Sequence, residues 1–564
     1  LRSFSRIAVR GLTLGIALGL GACASFSTAT KPAPEGPAIA SSEYGNFLAA
    51  RFAANEHNLR DAAIYYRAAL KTDPDNEQLL ALAFFYATAS GDIDSAADLA
   101  KKVVAKTPDD RAGRLTLAVA ALKRHDFAGA RKEIGLSAKG PFTSMSIAVF
   151  DAWAAAGAGD KATALADLGA LKNMAGAEGI AALHLALISE YLGDVKLADE
   201  TYAALAAASP TPRVIDAYGR FLERAGKRDE AGALYTRYLA DSGLKAVART
   251  GLERIKSGRK PEMMVPRAED GAAEGLFGIA ASLTDRASAD VSSLYMRLAL
   301  YLRPGLDLGA VLLADRFENL KRYDDAIAVY DTIPKDSPYY RLARVEAALD
   351  LSRAGRKDEA VAQLKQLTDA SPDEADLWIA LGDAYRSSEH YKEAAAAYDR
   401  ALTLRPANGH GDWPVYFARA VAEQGLKDWN AAEVDLKKAL ELSPNEPTLL
   451  NFLGYTWVDQ NRNIPEALAM LEKAHALKPT DGYIADSVGW AYYKLGRYEE
   501  AARALQLAVQ LVPGDPTIND HYGDALWRVG KKLDAQFQWN HALAFEPDDA
   551  DKAVIEKKLK DGLP

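Results

Sequence analysis

The sequence predicts an all-α fold, with about fourteen helical hairpins stacked into one long array. Three observations predict it. A frame of 34 residues laid over 43–547 puts an alanine at its twentieth position thirteen times: Ala62, Ala96, Ala130, Ala164, Ala198, Ala231, Ala326, Ala360, Ala394, Ala432, Ala467, Ala501 and Ala535. The remaining copy has Ser292 there, another small residue. Eleven copies end in a proline, which cannot continue a helix: Pro74, Pro108, Pro210, Pro304, Pro338, Pro372, Pro406, Pro444, Pro479, Pro513 and Pro547. Alanine, leucine and tyrosine are abundant, and no long β-branched run appears.

The clearest copy is Leu377–Pro406, LWIALGDAYRSSEHYKEAAAAYDRALTLRP. Trp378, Leu381, Gly382 and Tyr385 recur at i, i+3, i+4 and i+7, one face of a first helix. Gly382 and Ala394 are small where a second helix crosses it, and Tyr398 and Ala401 face the next hairpin. The spacing W-x2-L-G-x2-Y-x8-A-x3-Y-x2-A-x4-P resembles the tetratricopeptide repeat at every signature position. That resemblance implies a right-handed superhelical solenoid. Such a hairpin leaves an apolar face bare, so copies must stack.

The chain before the array is of another kind. Arg2, Arg6 and Arg10 precede a short apolar stretch, Gly11–Leu20, too short to span a bilayer as a mature helix. Leu20-Gly21-Ala22-Cys23 then resembles a lipobox, and Cys23 is the only cysteine. Residues 1–22 thus read as a lipoprotein signal peptide and Cys23 as the lipidation site. By the same resemblance, Ala24 in the next position, where an aspartate would signal inner-membrane retention, implies an outer-membrane anchor with the body in the periplasm. Acyl chains at ~0.8 kcal/mol per buried CH2 make such anchoring stable. Leu1 in place of methionine is compatible with an alternative start codon or a trimmed N-terminus. Residues 23–42, rich in Ala, Ser, Thr and Pro, read as a flexible tether reaching at most about 65 Å.

Repeats then begin near 43, 77, 111, 145, 179 and 212, an N-terminal array over 43–243. The copies at 111 and 145 are weak, lacking the aromatics. Turns between helices recur as Gly91-Asp92, Gly159-Asp160, Gly193-Asp194, Gly226-Lys227, Gly355-Arg356 and Gly496-Arg497, with glycine closing the first helix. Residues 244–272 are surplus: Leu244–Ser257 predicts an extra helix, and Gly258–Asp270 a Pro- and charge-rich loop between two sub-arrays. The C-terminal array, 273–547, has starts near 273, 307, 341, 375, 413, 448, 482 and 516. A longer connection falls at 406–413 and a single-residue insertion at Asn461–Asn463. Residues 548–564 predict a charged amphipathic helix capping the last repeat's open face.

Positions 4, 7, 8 and 11 of each first helix form the core face; 2, 5, 9 and 12 form a separate stripe. In tetratricopeptide superhelices that stripe lines the concave groove where ligands bind. Position 5 is mostly apolar along the chain: Phe47, Ala81, Leu115, Val149, Leu183, Phe277, Val311, Val345, Ile379 and Phe417. The last three copies differ. They put Asn451, Asp486 and Asp520 at position 5, Tyr455, Trp490 and Asp524 at position 9, and Tyr493 and Trp527 at position 12. Aromatics beside hydrogen-bonding groups are the composition of binding hot spots, which makes these eight the candidate partner-binding groove. Packing between neighbouring helices would use the same residue types. Trp378, Trp457 and Trp539 fall at core positions. No repeat has the Lys and Asn pair at positions 5 and 9 that grips a C-terminal carboxylate in chaperone-tail receptors.

The sequence predicts no enzyme. His57, His125, His184, His390, His410, His475, His521 and His541 are scattered and make no metal-ligand spacing. No G-x-S-x-G, P-loop or dinucleotide motif occurs, so neither catalytic residues, a metal nor a cofactor is expected. The acidic residues read as solvated helix faces. Without the signal the chain has 65 basic against 77 acidic residues, a net of −12 that disfavours nucleic acid. A single cysteine excludes an intrachain disulfide.

The stretches LNFLGYTWVDQNRNIPEALAMLEKAHALKP, IADSVGWAYYKLGRYEEAARALQLAVQLVPGDP and INDHYGDALWRVGKKLDAQFQWNHAL resemble a family of proteobacterial repeat lipoproteins. One member type is the outer-membrane partner of a periplasmic carboxy-terminal processing protease. The resemblance implies a periplasmic scaffold, anchored through acylated Cys23, that binds protein partners such as that protease and its substrates. A structural spacer in a polysaccharide-export or secretion assembly is the alternative, and a cytoplasmic adaptor a third.

Overall fold

The computed structural model describes residue 39 and residues 42–563, apart from 57, 175, 242–245, 284–287 and 406–408. Cys23, the stretch read as a signal peptide and nearly all of that read as a tether lie outside the described residues. All regular structure among the described residues is helical, and it falls in two compact units divided at Ala360/Val361.

In the first unit the hairpins are α1/α2 (Glu43–Asn55, Leu59–Thr72), α3/α4 (Glu77–Ser90, Ile93–Lys106), α5/α6 (Arg111–Lys123, Phe127–Gly135), α7/α8 (Pro141–Gly157, Lys161–Gly169), α9/α10 (Glu178–Tyr191, Val195–Ala208) and α11/α12 (Pro212–Arg224, Arg228–Asp241). The extra helix α13 (Ala246–Lys256) follows, then α14/α15 (Ala268–Ser282, Ala289–Leu302), α16/α17 (Asp307–Asn319, Tyr323–Tyr330) and α18 (Tyr340–Arg353). Helix α19 (Lys357–Ala370) carries the division between units. The second unit continues with α20/α21 (Ala375–Ser387, Tyr391–Leu404), α22/α23 (Trp413–Gly425, Trp429–Leu442), α24/α25 (Pro447–Asp459, Ile464–Leu477), α26/α27 (Gly482–Lys494, Tyr498–Leu511), α28/α29 (Pro516–Arg528, Lys532–Ala544) and α30 (Asp549–Asp561).

The 34-residue frame is a packing rule. All thirteen position-20 alanines and Ser292 are buried, none more than 2% exposed. Each sits where two helices cross, and a larger side chain would push them apart. Glycines do the same from the facing helix: a Cβ on Gly382 would lie 2.6 Å from the Tyr398 ring, and one on Gly523 would lie 2.5 Å from Trp539. The buried phenols then need partners. Tyr202, Tyr235 and Tyr330 donate to Glu190, Glu223 and Glu318, each twelve residues earlier, at 2.6–2.9 Å.

In the hairpin turns a Gly-Asp pair performs two tasks. Gly91 (φ 89°), Gly159 (φ 80°) and Gly193 (φ 78°) adopt the left-handed conformation that closes the first helix. The following aspartates, Asp92, Asp160 and Asp194, cap the second by accepting from the amides of Ser95, Thr163 and Leu197.

Two local expectations are corrected. Helix α14 starts at Ala268, inside the stretch expected to be loop, and Arg267 braces its first turn by donating to Asp270 at 2.8 and 2.9 Å. Helix α17 stops at Tyr330, well before Pro338, because Pro334 already removes an amide from the path of the helix.

Candidate groove of the C-terminal hairpins

The eight candidate residues lie on α24, α26 and α28, in the second unit. Position 5 of α26 is Asp486, which is buried; its carboxylate lies 2.9 and 3.2 Å from His521 Nδ1 on α28. Burial opposes a charge on that imidazole, but Asp486, with Asp520 and Asp524 beyond it, prevails and raises the His521 pKa. The ring of Trp490 stacks on His521 at 3.9 Å and 12°, and Tyr493 stacks on the Trp490 ring at 4.8 Å and 5°. Lys494 Nζ sits 5.1 Å over Trp490, a cation–π contact. Trp490 and Tyr493 are half-buried, forming a platform backed by a buried ion pair.

On α24, Tyr455 and Asn451 are also half-buried. Burial first, then the carboxylates of Asp486, Asp459 and Asp551, hold the Tyr455 phenol above its ordinary range. Asn451 Oδ1 is buried and accepts no hydrogen bond within the chain. On α28 the three candidates are already engaged within the chain. Lys558 of α30 places Nζ 2.7 Å from Asp520 and 2.9 Å from Asp524; Trp539 Nε1 donates to Asp524 at 3.0 Å. Trp527 Nε1 donates to the Leu563 carbonyl at 3.2 Å. The structure therefore separates the eight: Asn451, Tyr455, Trp490 and Tyr493 form the half-open part, Asp486 is buried in the pair with His521, and Asp520, Asp524 and Trp527 serve α30.

In the first unit the equivalent stripe is covered over α5 and α7, while on α3 Ala81 and Phe85 stay exposed. Helix α14 packs on α7 and α9, and α15 on α3, α4 and α5. Leu115 and Val149, expected to line a groove, are buried, as is Phe277 of α14 itself. The glycines of α14 allow the approach: Gly271 lies against Trp153 and Gly275 against Val149. Polar contacts fix the register. Tyr295 pairs with Ser146 at 2.9 Å, Arg297 donates to the Ala89 carbonyl at 3.0 Å, and Tyr301 donates to Asp94 at 2.6 Å. Beneath α14, Trp153 Nε1 donates at 2.9 Å to Nδ1 of His184, whose pKa burial pulls down to about 3, so the imidazole is a neutral acceptor.

The reading of acidic residues as solvated faces is wrong for ten of them. Asp216, Glu223, Glu269, Asp270, Glu274, Asp350, Asp412, Asp435, Asp486 and Asp524 are buried. They are tolerated because cations and ring N–H or O–H groups reach them. Glu274 of α14 pairs with Arg213 and, at 2.8 Å, with Arg303; Glu223 takes Arg254 and Tyr235. One cue was present in the sequence: AEDGAAEGLFGIAAS of α14 has no polar face, the mark of a helix surrounded by protein. The His521–Asp486 pair carried no local cue, since its members are 35 residues apart.

Among the described residues, no group of three or more His, Cys, Asp or Glu is arranged to hold a metal ion, and no helix is long and apolar enough to cross a membrane.

Models of the tetratricopeptide repeat match residues 86–144, 345–409 and 485–515. The chain carries tetratricopeptide repeats. A TPR repeat-containing protein of Pseudomonas aeruginosa is 32% identical over 164 residues, 29% of this chain and 27% of that protein. ER membrane protein complex subunit 2-A of Xenopus laevis is 26% identical over 182 residues, 32% of this chain and 60% of that one. The matches thus cover about a quarter and three-fifths of those relatives. Among solved structures, the APC/C hetero-tetramer Cut9–Hcn1 contains a chain aligned over 93% of this one and 97% of its own length, with 17% identity and a TM-score of 0.38. A tetratricopeptide hairpin array is a framework suited to protein–protein interaction.

Proposed function

We propose that the protein is a periplasmic scaffold, held at the outer membrane through acylated Cys23, that binds protein partners along its tetratricopeptide hairpins. The half-open platform of Trp490 and Tyr493 carries this reading. A stacked aromatic pair supplies apolar area at low entropic cost. A carboxy-terminal processing protease and its substrates are the partners implied by the resemblance of the last three repeats. The lipobox-like LGAC and the tether behind it support the location.

Affinity capture from detergent-solubilised envelopes tests the partner reading. Trp490→Ala, with helicity retained, should lose the captured protein, and capture of no protein by the unaltered chain overturns the reading. Metabolic labelling with palmitate tests the anchor, with incorporation expected in the wild type and absent in Cys23→Ala.

A further inference from the structure

Helix α30 does more than close the array. Ile555 and Leu559, with Leu563 beyond them, pack on the apolar cluster of Leu526, Trp527 and Trp539. That contact is what an end cap requires. Lys558 departs from it. Its side chain is nearly buried, and its ammonium bonds two carboxylates of the inner stripe, Asp520 and Asp524. Burial works against that charge and the two carboxylates outweigh it, so the Lys558 pKa stays above the ordinary lysine range. At its C-terminal end Gly562 lies flat against Trp527, where a Cβ would collide with the ring. At its N-terminal end the Asp551 carboxylate contributes, after burial and two nearer carboxylates, to holding up the phenol of Tyr455, three hairpins back. The helix thus presents anchors at i, i+3 and i+4 (Ile555, Lys558, Leu559), with Gly562 just past its end, to the face carrying the candidate groove, the spacing by which a groove receives an amphipathic helix.

A neutral or acidic helix in that place would leave the buried Asp524 and the half-buried Asp520 without a cation, so the stripe selects for one. We infer that α30 is a built-in occupant of the partner groove, and that a partner enters by presenting, in its place, an amphipathic helix with a lysine flanked by apolar residues. This rests on the scaffold reading above.

The test uses the full-length chain and a labelled synthetic peptide of residues 548–563, DDADKAVIEKKLKDGL. Lys558→Glu puts a carboxylate beside two others and should expel α30. Hydrogen exchange across 549–561 should rise, and the variant should bind the peptide roughly tenfold or more tighter than the wild type does. A peptide carrying the same change should not bind. Peptide binding of equal strength to both chains, or none to a variant whose α30 is released, overturns the inference. If protection is also lost in α28 and α29, Lys558→Met, which removes the charge and keeps the apolar stem, is read by the same criteria. Excess peptide should also displace a captured envelope protein from Lys558→Glu. Capture unaffected by peptide overturns this inference and leaves the scaffold reading standing. Peptide binding with no protein captured by any form does the reverse.

Discussion

The inner stripes of the two units share one repeat frame and are used oppositely. In the first unit the stripe under α7 and α9 is filled by α14, which brings glycines to the apolar surface of Trp153 and Val149 and a carboxylate, Glu274, to Arg213 and Arg303. In the second unit α30 satisfies Asp520 and Asp524 with one lysine, while Trp490, Tyr493, Tyr455 and Asn451 remain half-buried. The frame determines where the stripe is, and the residues at positions 5, 9 and 12 determine whether the chain covers it itself. A stripe packed under another helix is already used for folding, and stacked, half-exposed aromatics mark one left for binding.

Breaking each stripe at its centre should therefore give opposite phenotypes. Glu274→Ala leaves Arg213 and Arg303 facing each other without their anion, which should cost about 3–5 kcal/mol in denaturant unfolding and expose α7 and α9 to hydrogen exchange. Trp490→Ala removes a half-buried ring and should cost about 1 kcal/mol while abolishing partner capture. Equal losses of stability would erase the distinction between the two stripes.

The hairpins were readable because the features that make them are local. Position-20 alanines, closing prolines and Gly-Asp turns act within one repeat, and each is visible at a fixed spacing. What escaped the sequence acts across repeats. Nothing near Glu274 indicates that Arg213, 61 residues earlier, will neutralise it. Nothing near Asp520 indicates Lys558. The aromatic–polar change of the last three copies was legible, since it is a departure from the array's own periodicity. Which of those residues the chain itself would occupy was not, because that depends on where α30 lands.

The two units should also respond differently to pH. In the first, burial leads and neighbouring Glu318 assists in raising Glu346 and Asp350 to about 7. Groups raised in the folded state stabilise it fully below their unfolded pKa and lose that contribution as pH rises through about 7. Glu346→Gln removes one of these charges, so the variant should gain about 1–3 kcal/mol over the wild type at pH 8 and almost nothing below about pH 4. In the second unit burial raises Glu423 to about 7 as well, but His521 adds a switch beneath the binding platform. Its raised pKa means the His521–Asp486 contribution is complete below about 6.5 and fades as pH rises through the folded value. Partner capture should weaken over that same interval in the wild type and lose this dependence in His521→Gln, with capture measured from pH 6 to 9.

The smallest effects lie in the turns, where the units should behave alike. Glycine closes the first helix in several hairpins, but His125 and Lys321 in the first unit and Glu389 and Lys427 in the second take the same left-handed conformation, with φ of 59–62°. A side chain there strains the backbone, and glycine relieves that strain while adding freedom to the unfolded chain. The strain exceeds the entropy at a position where φ is fixed by the turn, so Lys321→Gly and Glu389→Gly should each stabilise by about 0.5–1 kcal/mol. Both turns lie away from the stripes, so partner capture and peptide binding should not change. A gain in only one unit would mean that its turns are held by contacts the frame does not specify, and the contrast between the units would then extend beyond their inner surfaces to the hairpins themselves.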